Sequence, residues 1–133
     1  MNDLITFLNA RIDEDEKAAR GATPGPWEWR GEYDEPWQPA SDGWLDYTGE
    51  YIAAPGGKGT LFGPGMTPHA DAIHIARHDP ARVLAEVEAK RSMIGRISNH
   101  ALIMGQDEVH GSLLRSLALP YSDHPDYRDE WRP

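Results

Sequence analysis

The tripeptide His78-Asp79-Pro80 constrains the fold of this chain more than any other feature, because it separates two helical patterns. Proline restricts the residue before it to extended backbone, so a helix that arrives from the N-terminal side ends near His78. Asp79 is a favoured N-cap residue, and proline is favoured at the first helical position. We therefore predict one helix over 67–78, a change of direction, and a second helix that begins at Pro80.

Apolar residues recur at helical spacing on both sides of this join. They predict an amphipathic helix over 80–104, which Gly105 ends, and a last helix from about Asp107 to Leu119. A first helix over 2–20 is predicted in the same way. The apolar stripe of the first helix is Leu4, Ile5, Phe7, Leu8 and Ile12, and that of the long helix is Val83, Val87, Ile94, Ile97, Ala101 and Met104.

Residues 22–66 have a different composition, rich in glycine, proline and tryptophan. The chain has 5 tryptophans, and all but the last lie between positions 27 and 44. Short runs typical of strands occur around Trp29, in "EYIAAP" and in "GTLFG", with the turn-forming "GGKG" between the last two. We predict a small antiparallel sheet with long loops in this part of the chain.

The fold class predicted from these segments is α+β. It comprises an N-terminal helix, a small antiparallel sheet with loops rich in Trp, Pro and Gly, and three C-terminal helices, one of them long and amphipathic. A chain of 133 residues is most simply one domain. Within it we expect a helix over 1–20, a β-rich loop region over 22–66, a helical region over 67–119, and an extended tail over 120–133 that lies on the body.

Charge and composition disfavour several classes of function. A net charge of -9 argues against a basic patch that binds nucleic acid or anionic lipid. The absence of cysteine excludes disulfides, thiolate metal sites and cysteine nucleophiles. The first twenty residues lack the basic start and apolar run of a signal peptide, and no apolar run could span a membrane. We expect a cytoplasmic protein without a cofactor.

Several strings resemble those of a known family. "TPGPWEW" followed by "ADAIHIARHDPARVLAEVEAKR" resembles a motif pair of small phage-encoded accessory proteins. With the start "LITFLNARIDEDEKAA" and the end "LRSLALPYSDHPDYRDEWRP", the chain is similar to an uncharacterised actinobacterial and actinophage family of unknown function. Many members of that family carry cysteines where this chain has "MGQDEVHGS". The resemblance implies a phage or actinobacterial cytoplasmic setting and no particular activity.

His74 and His78 are four residues apart and share a helix face, as metal-binding histidine pairs do. The residues between them are Ile75, Ala76 and Arg77, without the glutamate that a metalloprotease helix needs as its base. We expect packing and capping instead, with His78 hydrogen-bonded locally at the end of its helix. A metal site at these two residues remains the weaker alternative.

Arg77 and Arg82 flank the start of the long helix, where free amides could hold a phosphate. Asp79 opposes that interpretation, because a capping carboxylate occupies the position that an anion would take. The two arginines are kept as candidate ligand-binding residues. They would hold the phosphate of a nucleotide that stacks on the tryptophans.

The central segment carries the strongest indication of a contact surface. Trp37 and Trp44 lie in loops rich in proline and glycine, where we expect them to be exposed, and exposed aromatic residues mark interfaces. Tyr47 and the acidic pair Asp34 and Glu35 belong to the same segment. An acidic surface of this kind fits a basic partner, although many acidic loops are only solvated.

These patterns favour a non-enzymatic binding or accessory protein. It would be encoded by a phage or prophage and would engage a host or assembly protein through its acidic, Trp-bearing surface. The alternatives are a protein that sequesters a nucleotide or another small molecule, and a metal-dependent hydrolase that uses His74 and His78. The helix over 80–104 could also carry a homodimer interface.

Overall fold

The computed structural model describes residues 1–30, 51–53, 60–62 and 69–133. It divides into two compact units: unit 1 is Met1–Lys17 with Ala85–Pro133, and unit 2 is Ala18–Leu84. Two helices contribute residues to both units. The organisation of the whole chain as a single domain stays a prediction.

Four α-helices dominate the described residues: α1 (Asn2–Gly21), α2 (His69–Arg77), α3 (Pro80–Met104) and α4 (Glu108–Ala118). The predicted break at Asp79 and the start of α3 at Pro80 are confirmed, as are the bounds predicted for the first and last helices to within a residue or two. Gly95 does not interrupt α3. None of the helices in the described residues is long and apolar enough to cross a membrane.

The α+β class is wrong for the described residues, which form a mainly helical protein. The four helices have 20, 9, 25 and 11 residues, whereas β1 (Glu28–Arg30), β2 (Tyr51–Ala53) and β3 (Thr60–Phe62) have 3 residues each. β2 pairs antiparallel with both of the others, in the order β1-β2-β3. Pairing over so few residues joins three strand-forming segments locally, but it is too short to build the sheet layer that an α+β fold requires.

The core of unit 1 consists of apolar side chains that recur at helical spacing. Most of the stripes predicted for α1 and α3 are buried, and each fully buried large side chain contributes about 1.5–3 kcal/mol. Arg91 of α3 also forms ion pairs with Asp13 and Glu16 of α1, at 2.6 and 2.7 Å. The buried apolar residues are Leu4, Phe7, Leu8, Ile12, Val87, Ile94, Ile97, Ala101, Leu114, Ala118 and Trp131.

The C-terminal tail is folded, not extended as predicted. It forms two 3-10 turns, Leu119–Tyr121 and Asp129–Trp131, and its aromatic rings surround Phe7 of α1. The ring centroids of Tyr121, His124, Tyr127 and Trp131 lie 5.1–6.4 Å from that of Phe7. The expectation that the tail lies on the body is thereby confirmed within unit 1. The turns bring four rings against Phe7, which a straight, extended segment could not do.

Candidate functional site

Five of the residues predicted to form a contact surface lie outside the described residues. They are Asp34, Glu35, Trp37, Trp44 and Tyr47. Their assignment to a partner-binding surface therefore stays a prediction.

His74 and His78 lie against each other near the end of α2. Their ring centroids are 4.2 Å apart, and Nδ1 of His78 lies 2.8 Å from the backbone carbonyl of His74. A neutral imidazole can donate that hydrogen bond, so the predicted local bond of His78 is confirmed. No group of three or more histidine, aspartate or glutamate side chains among the described residues is arranged to hold a metal ion.

Asp79 is buried and caps α3. Its Oδ1 accepts a hydrogen bond of 2.8 Å from the backbone N–H of Arg82, and its Oδ2 accepts one of 2.6 Å from the backbone N–H of Trp27. A carboxylate therefore occupies the helix terminus at which a phosphate was considered. Arg82 donates from its guanidinium to the backbone carbonyl of Arg77 at 3.2 Å, and both arginines are exposed.

A different group of side chains stands out at the turn between α3 and α4. Gly105 has a φ of +88°, the left-handed conformation that glycine adopts readily at the end of a helix. Two residues later, Asp107 caps α4. This reversal brings His100 of α3 close to His110 of α4, and the three polar residues His100, Asp107 and His110 form what we call the histidine relay.

His110 is the buried centre of this relay, with 4% of its surface exposed. Its Nδ1 lies 2.6 Å from Oδ1 of Asp107 and 3.1 Å from the backbone nitrogen of the same residue. The backbone N–H of Asp107 donates the hydrogen bond to Nδ1, which completes the capping box at the start of α4. A neutral imidazole that accepts a hydrogen bond at Nδ1 carries its proton at Nε2, the nitrogen that faces His100.

Asp107 is kept ionised by its position. The backbone N–H of His110 donates to Oδ1 at 3.1 Å and lowers the pKa of the Asp107 carboxyl below its usual value. An ionised carboxylate at this place also complements the positive end of the α4 dipole. It therefore caps the first turn of α4, while the backbone N–H of the same residue holds the ring of His110.

His100 completes the relay at the protein surface. Its Nδ1 lies 2.8 Å from Nε2 of His110, which is hydrogen-bond distance between two ring nitrogens. His100 is exposed, whereas His110 is buried. The relay thus leads from a carboxylate, through a buried ring, to a ring in contact with solvent.

Exposed apolar side chains surround the same turn. Leu102, Ile103 and Met104 end α3 with 86%, 79% and 71% of their surfaces exposed, and Val109 and Leu113, one turn apart on α4, are 64% and 45% exposed. We call these five residues the α3–α4 surface. Helical spacing in the sequence predicts an apolar face of Val109, Leu113, Leu114 and Leu117 for this helix. Of these only Leu114 is buried, and the buried side of α4 is formed by His110, Leu114 and Ala118.

The sequence contained a signal for part of this surface. The run "LIM" at 102–104 places three large apolar residues in succession, and consecutive residues of a helix point 100° apart. They cannot all face one core, so at least one of them had to be exposed. The pairing of His100 with His110 had no such signal, because it depends on the angle between two helices.

Comparisons with known proteins place the chain in a family without assigning an activity. No curated protein matches it, and no solved structure matches it. One family model, described as a family of unknown function (DUF6221), matches residues 1–133. Because the match spans the whole chain, this protein belongs to DUF6221, a family of unknown function.

Proposed function

We propose that this chain is a non-enzymatic binding protein, which docks on a partner protein through the α3–α4 surface. The observation that carries the proposal is the exposure of five large apolar side chains around one helix–helix turn. Contiguous apolar residues that remain exposed on a folded protein are typical of protein interfaces. Three of them lie in the last turn of α3, and the other two lie one turn apart on α4.

The energetics favour a partner that covers most of this surface. Full burial of a leucine, isoleucine, methionine or valine contributes about 1.5–3 kcal/mol, whereas association itself costs at least about 4 kcal/mol. Two covered residues would barely offset that cost. Four or five would leave a surplus sufficient for a specific complex.

The negative charge of the chain indicates which kind of partner would bind this surface. The chain has a net charge of -9, and the exposed Asp107 and Glu108 lie between the two parts of the α3–α4 surface in the sequence. A protein with apolar side chains surrounded by lysine or arginine complements both features. A second copy of the chain would bring like charges together, so the homodimer through residues 80–104 is the less favoured occupant.

The acidic, Trp-bearing segment belongs to the same proposal as a second contact region. Asp34, Glu35, Trp37, Trp44 and Tyr47 would add aromatic anchors and further negative charge against a basic partner. Phage or actinobacterial origin, and with it action in the cytoplasm of a host cell, rests on the sequence resemblance alone.

The test compares two variants of the full chain. Leu102→Gln with Ile103→Gln and Val109→Gln removes the exposed apolar groups without touching the core, and Met93→Gln is the matched control, because Met93 is an exposed apolar residue earlier on α3. Pull-downs from an actinobacterial lysate with quantitative mass spectrometry should return a basic protein that the wild type and the control retain and the triple variant loses.

Three other outcomes count against the proposal. If the triple variant captures the same proteins as the wild type, the proposal has no basis. An acidic protein that depends on the surface would contradict the charge argument. Sedimentation that shows a dimer for the wild type and a monomer for the triple variant would assign the surface to self-association.

A further inference from the structure

The contact between His100 and His110 joins α3 to α4 through a single proton. Nδ1 of His100 lies 2.8 Å from Nε2 of His110, and Nδ1 of His110 accepts a hydrogen bond of 3.1 Å from the backbone N–H of Asp107. His110 therefore donates from Nε2, and His100 accepts with the lone pair on its Nδ1. The contact exists only while that nitrogen of His100 carries no proton of its own.

Few charged groups surround the buried ring of His110. In the described part of the chain, two titratable side chains are in polar contact with it: Asp107, whose Oδ1 lies 2.6 Å from Nδ1, and His100 of α3. The charged neighbours along α4, Glu108 and Arg115, form an ion pair with each other. A hydrogen bond from the backbone N–H of His110 lowers the pKa of the Asp107 carboxyl, so this carboxylate stays ionised in weak acid. A change from neutral to weakly acidic pH therefore acts on the two rings.

Of the two rings, His100 is the one that can take up a further proton without creating a buried charge. His110 is only 4% exposed, and burial disfavours a charged imidazole. A proton on its Nδ1 would also displace the backbone N–H of Asp107, although the carboxylate of that residue could accept it. His100 is exposed, and the cation nearest to it along α3, Arg96 one helical turn earlier, is exposed as well and is screened by solvent.

We propose that the contact of His100 with His110 is an acid-sensitive joint, which holds the start of α4 against α3 at neutral pH and opens when His100 takes up a proton. A free imidazole takes up this proton at about pH 6.5. Two N–H groups would then face each other across 2.8 Å, so the ring of His100 turns away into solvent. Leu114 and Ala118 are buried and hold the rest of α4, so the opening is confined to its first turns.

Opening of the joint would change the α3–α4 surface on both sides of the turn. Ile103 and Met104 follow His100 by three and four residues, which places them beside it on α3, and Leu113 follows His110 in the same way on α4. The added positive charge opposes a basic partner. Release of that partner in acid rests on the proposed function, whereas the joint itself does not.

The experiment measures amide hydrogen exchange of the full chain without any partner. The backbone N–H groups of residues 111–114 lie in the first turns of α4. With rates corrected for the intrinsic effect of pH, their protection should fall about tenfold between about pH 7.5 and about pH 5.5, as expected for the loss of one hydrogen bond. The ring nitrogen resonances of His100 should change to those of an imidazolium over the same range.

Two substitutions at His100 imitate the two states of the joint. The side-chain oxygen introduced by His100→Gln can accept from His110 at every pH, so protection should stay high at both pH values. His100→Lys carries a positive charge throughout and should have low protection at both. The matched control is the double variant His74→Gln with His78→Gln, which removes the other adjacent histidine pair and should respond to acid as the wild type does.

The proposal is overturned if the wild type keeps the same protection at both pH values, or if His100→Gln still loses protection in acid. It is also overturned if the ring resonances show that His110 takes up the proton first. The triple variant Leu102→Gln with Ile103→Gln and Val109→Gln should keep the acid response, so failure of the docking proposal would leave this result unchanged.

Discussion

The carboxylate of Asp79 accepts a hydrogen bond of 2.6 Å from the backbone N–H of Trp27, 52 residues earlier in the chain. Its other oxygen caps α3 through the backbone N–H of Arg82 at 2.8 Å. One buried side chain thus joins the segment before β1 to the start of the longest helix. Both oxygens are used, and burial excludes the water that could replace either bond.

Asp79→Ala should destabilise the protein by about 2–4 kcal/mol, because it removes a helix cap and a charged hydrogen-bond acceptor together. Loss of an N-cap alone costs about 1 kcal/mol. Unfolding in urea, followed by circular dichroism, measures the difference. Asp79→Asn keeps one acceptor oxygen and should lose about half as much.

The comparison for this prediction is Asp107→Ala, which removes the more exposed cap of α4. If Asp79→Ala costs no more than Asp107→Ala, the bond to Trp27 contributes nothing to stability.

Gly25→Ala should destabilise the protein by about 1–3 kcal/mol, the usual cost of overpacking. A β-carbon at this position would lie 2.8 Å from Oδ2 of Asp79 and 2.9 Å from the β-carbon of Ala81. The added methyl group would push the Trp27 segment off the carboxylate. The midpoint of urea denaturation should fall.

Gly95→Ala should have the opposite effect on stability, measured by the same urea denaturation. Gly95 lies inside α3, is exposed, and has nothing within 4 Å of its ideal β-carbon. Alanine is favoured over glycine in a helix interior by about 1 kcal/mol, so this variant should be more stable than the wild type. Equal effects of the two substitutions would refute the steric argument for Gly25.

The helices were predictable because their limits depend on neighbouring residues. Asp79 and Pro80 define the start of α3 by capping and by the fixed φ of proline, and Gly105 defines its end. The fold class was not predictable in this way. Strand-forming residues indicate where a strand can begin, but the length over which it pairs depends on partners far along the chain.

In the candidate site, too, local features were predictable from the sequence and contacts between helices were not. The cap that Asp107 forms with His110, three residues later, is a local pattern that can be recognised in the sequence. The contact between His110 and His100 cannot be recognised there, because it depends on how α3 and α4 pack. The exposure of Val109 and Leu113 likewise depends on which face of α4 packs against the rest of unit 1. The buried face is that of His110, Leu114 and Ala118. Spacing alone could not decide between two adjacent faces.

Trp131→Ala should cost about 3–5 kcal/mol, as expected for truncation of a buried aromatic residue. Trp131 is only 8% exposed, although it lies near the C-terminus, and its ring centroid is 5.1 Å from that of Phe7. Thermal unfolding should shift to lower temperature. The control is Arg132→Ala, at an exposed neighbouring position, which should stay within about 0.5 kcal/mol of the wild type. Equal stability of the two variants would show that the tail does not contribute to the core.

Tyr121 should make stability fall at high pH. Its hydroxyl donates to Oδ2 of Asp15 at 2.5 Å and accepts from Nζ of Lys90 at 2.8 Å. Partial burial, together with the hydrogen bond to Asp15, raises the pKa of Tyr121 above its usual value. The unfolded chain loses this proton near pH 10, while the folded protein keeps it, so the stabilisation is complete below about pH 10 and is lost as the pH rises further.

Two measurements check this prediction. Tyrosinate absorbance should show a titration displaced to high pH that is absent in Tyr121→Phe, and the wild type should lose more stability than that variant between about pH 9 and about pH 11. Tyr127→Phe is the matched control, because the buried hydroxyl of Tyr127 has no hydrogen-bond partner among the described residues. If the late titration disappears in Tyr127→Phe and persists in Tyr121→Phe, the perturbed hydroxyl is that of Tyr127 and the prediction is wrong.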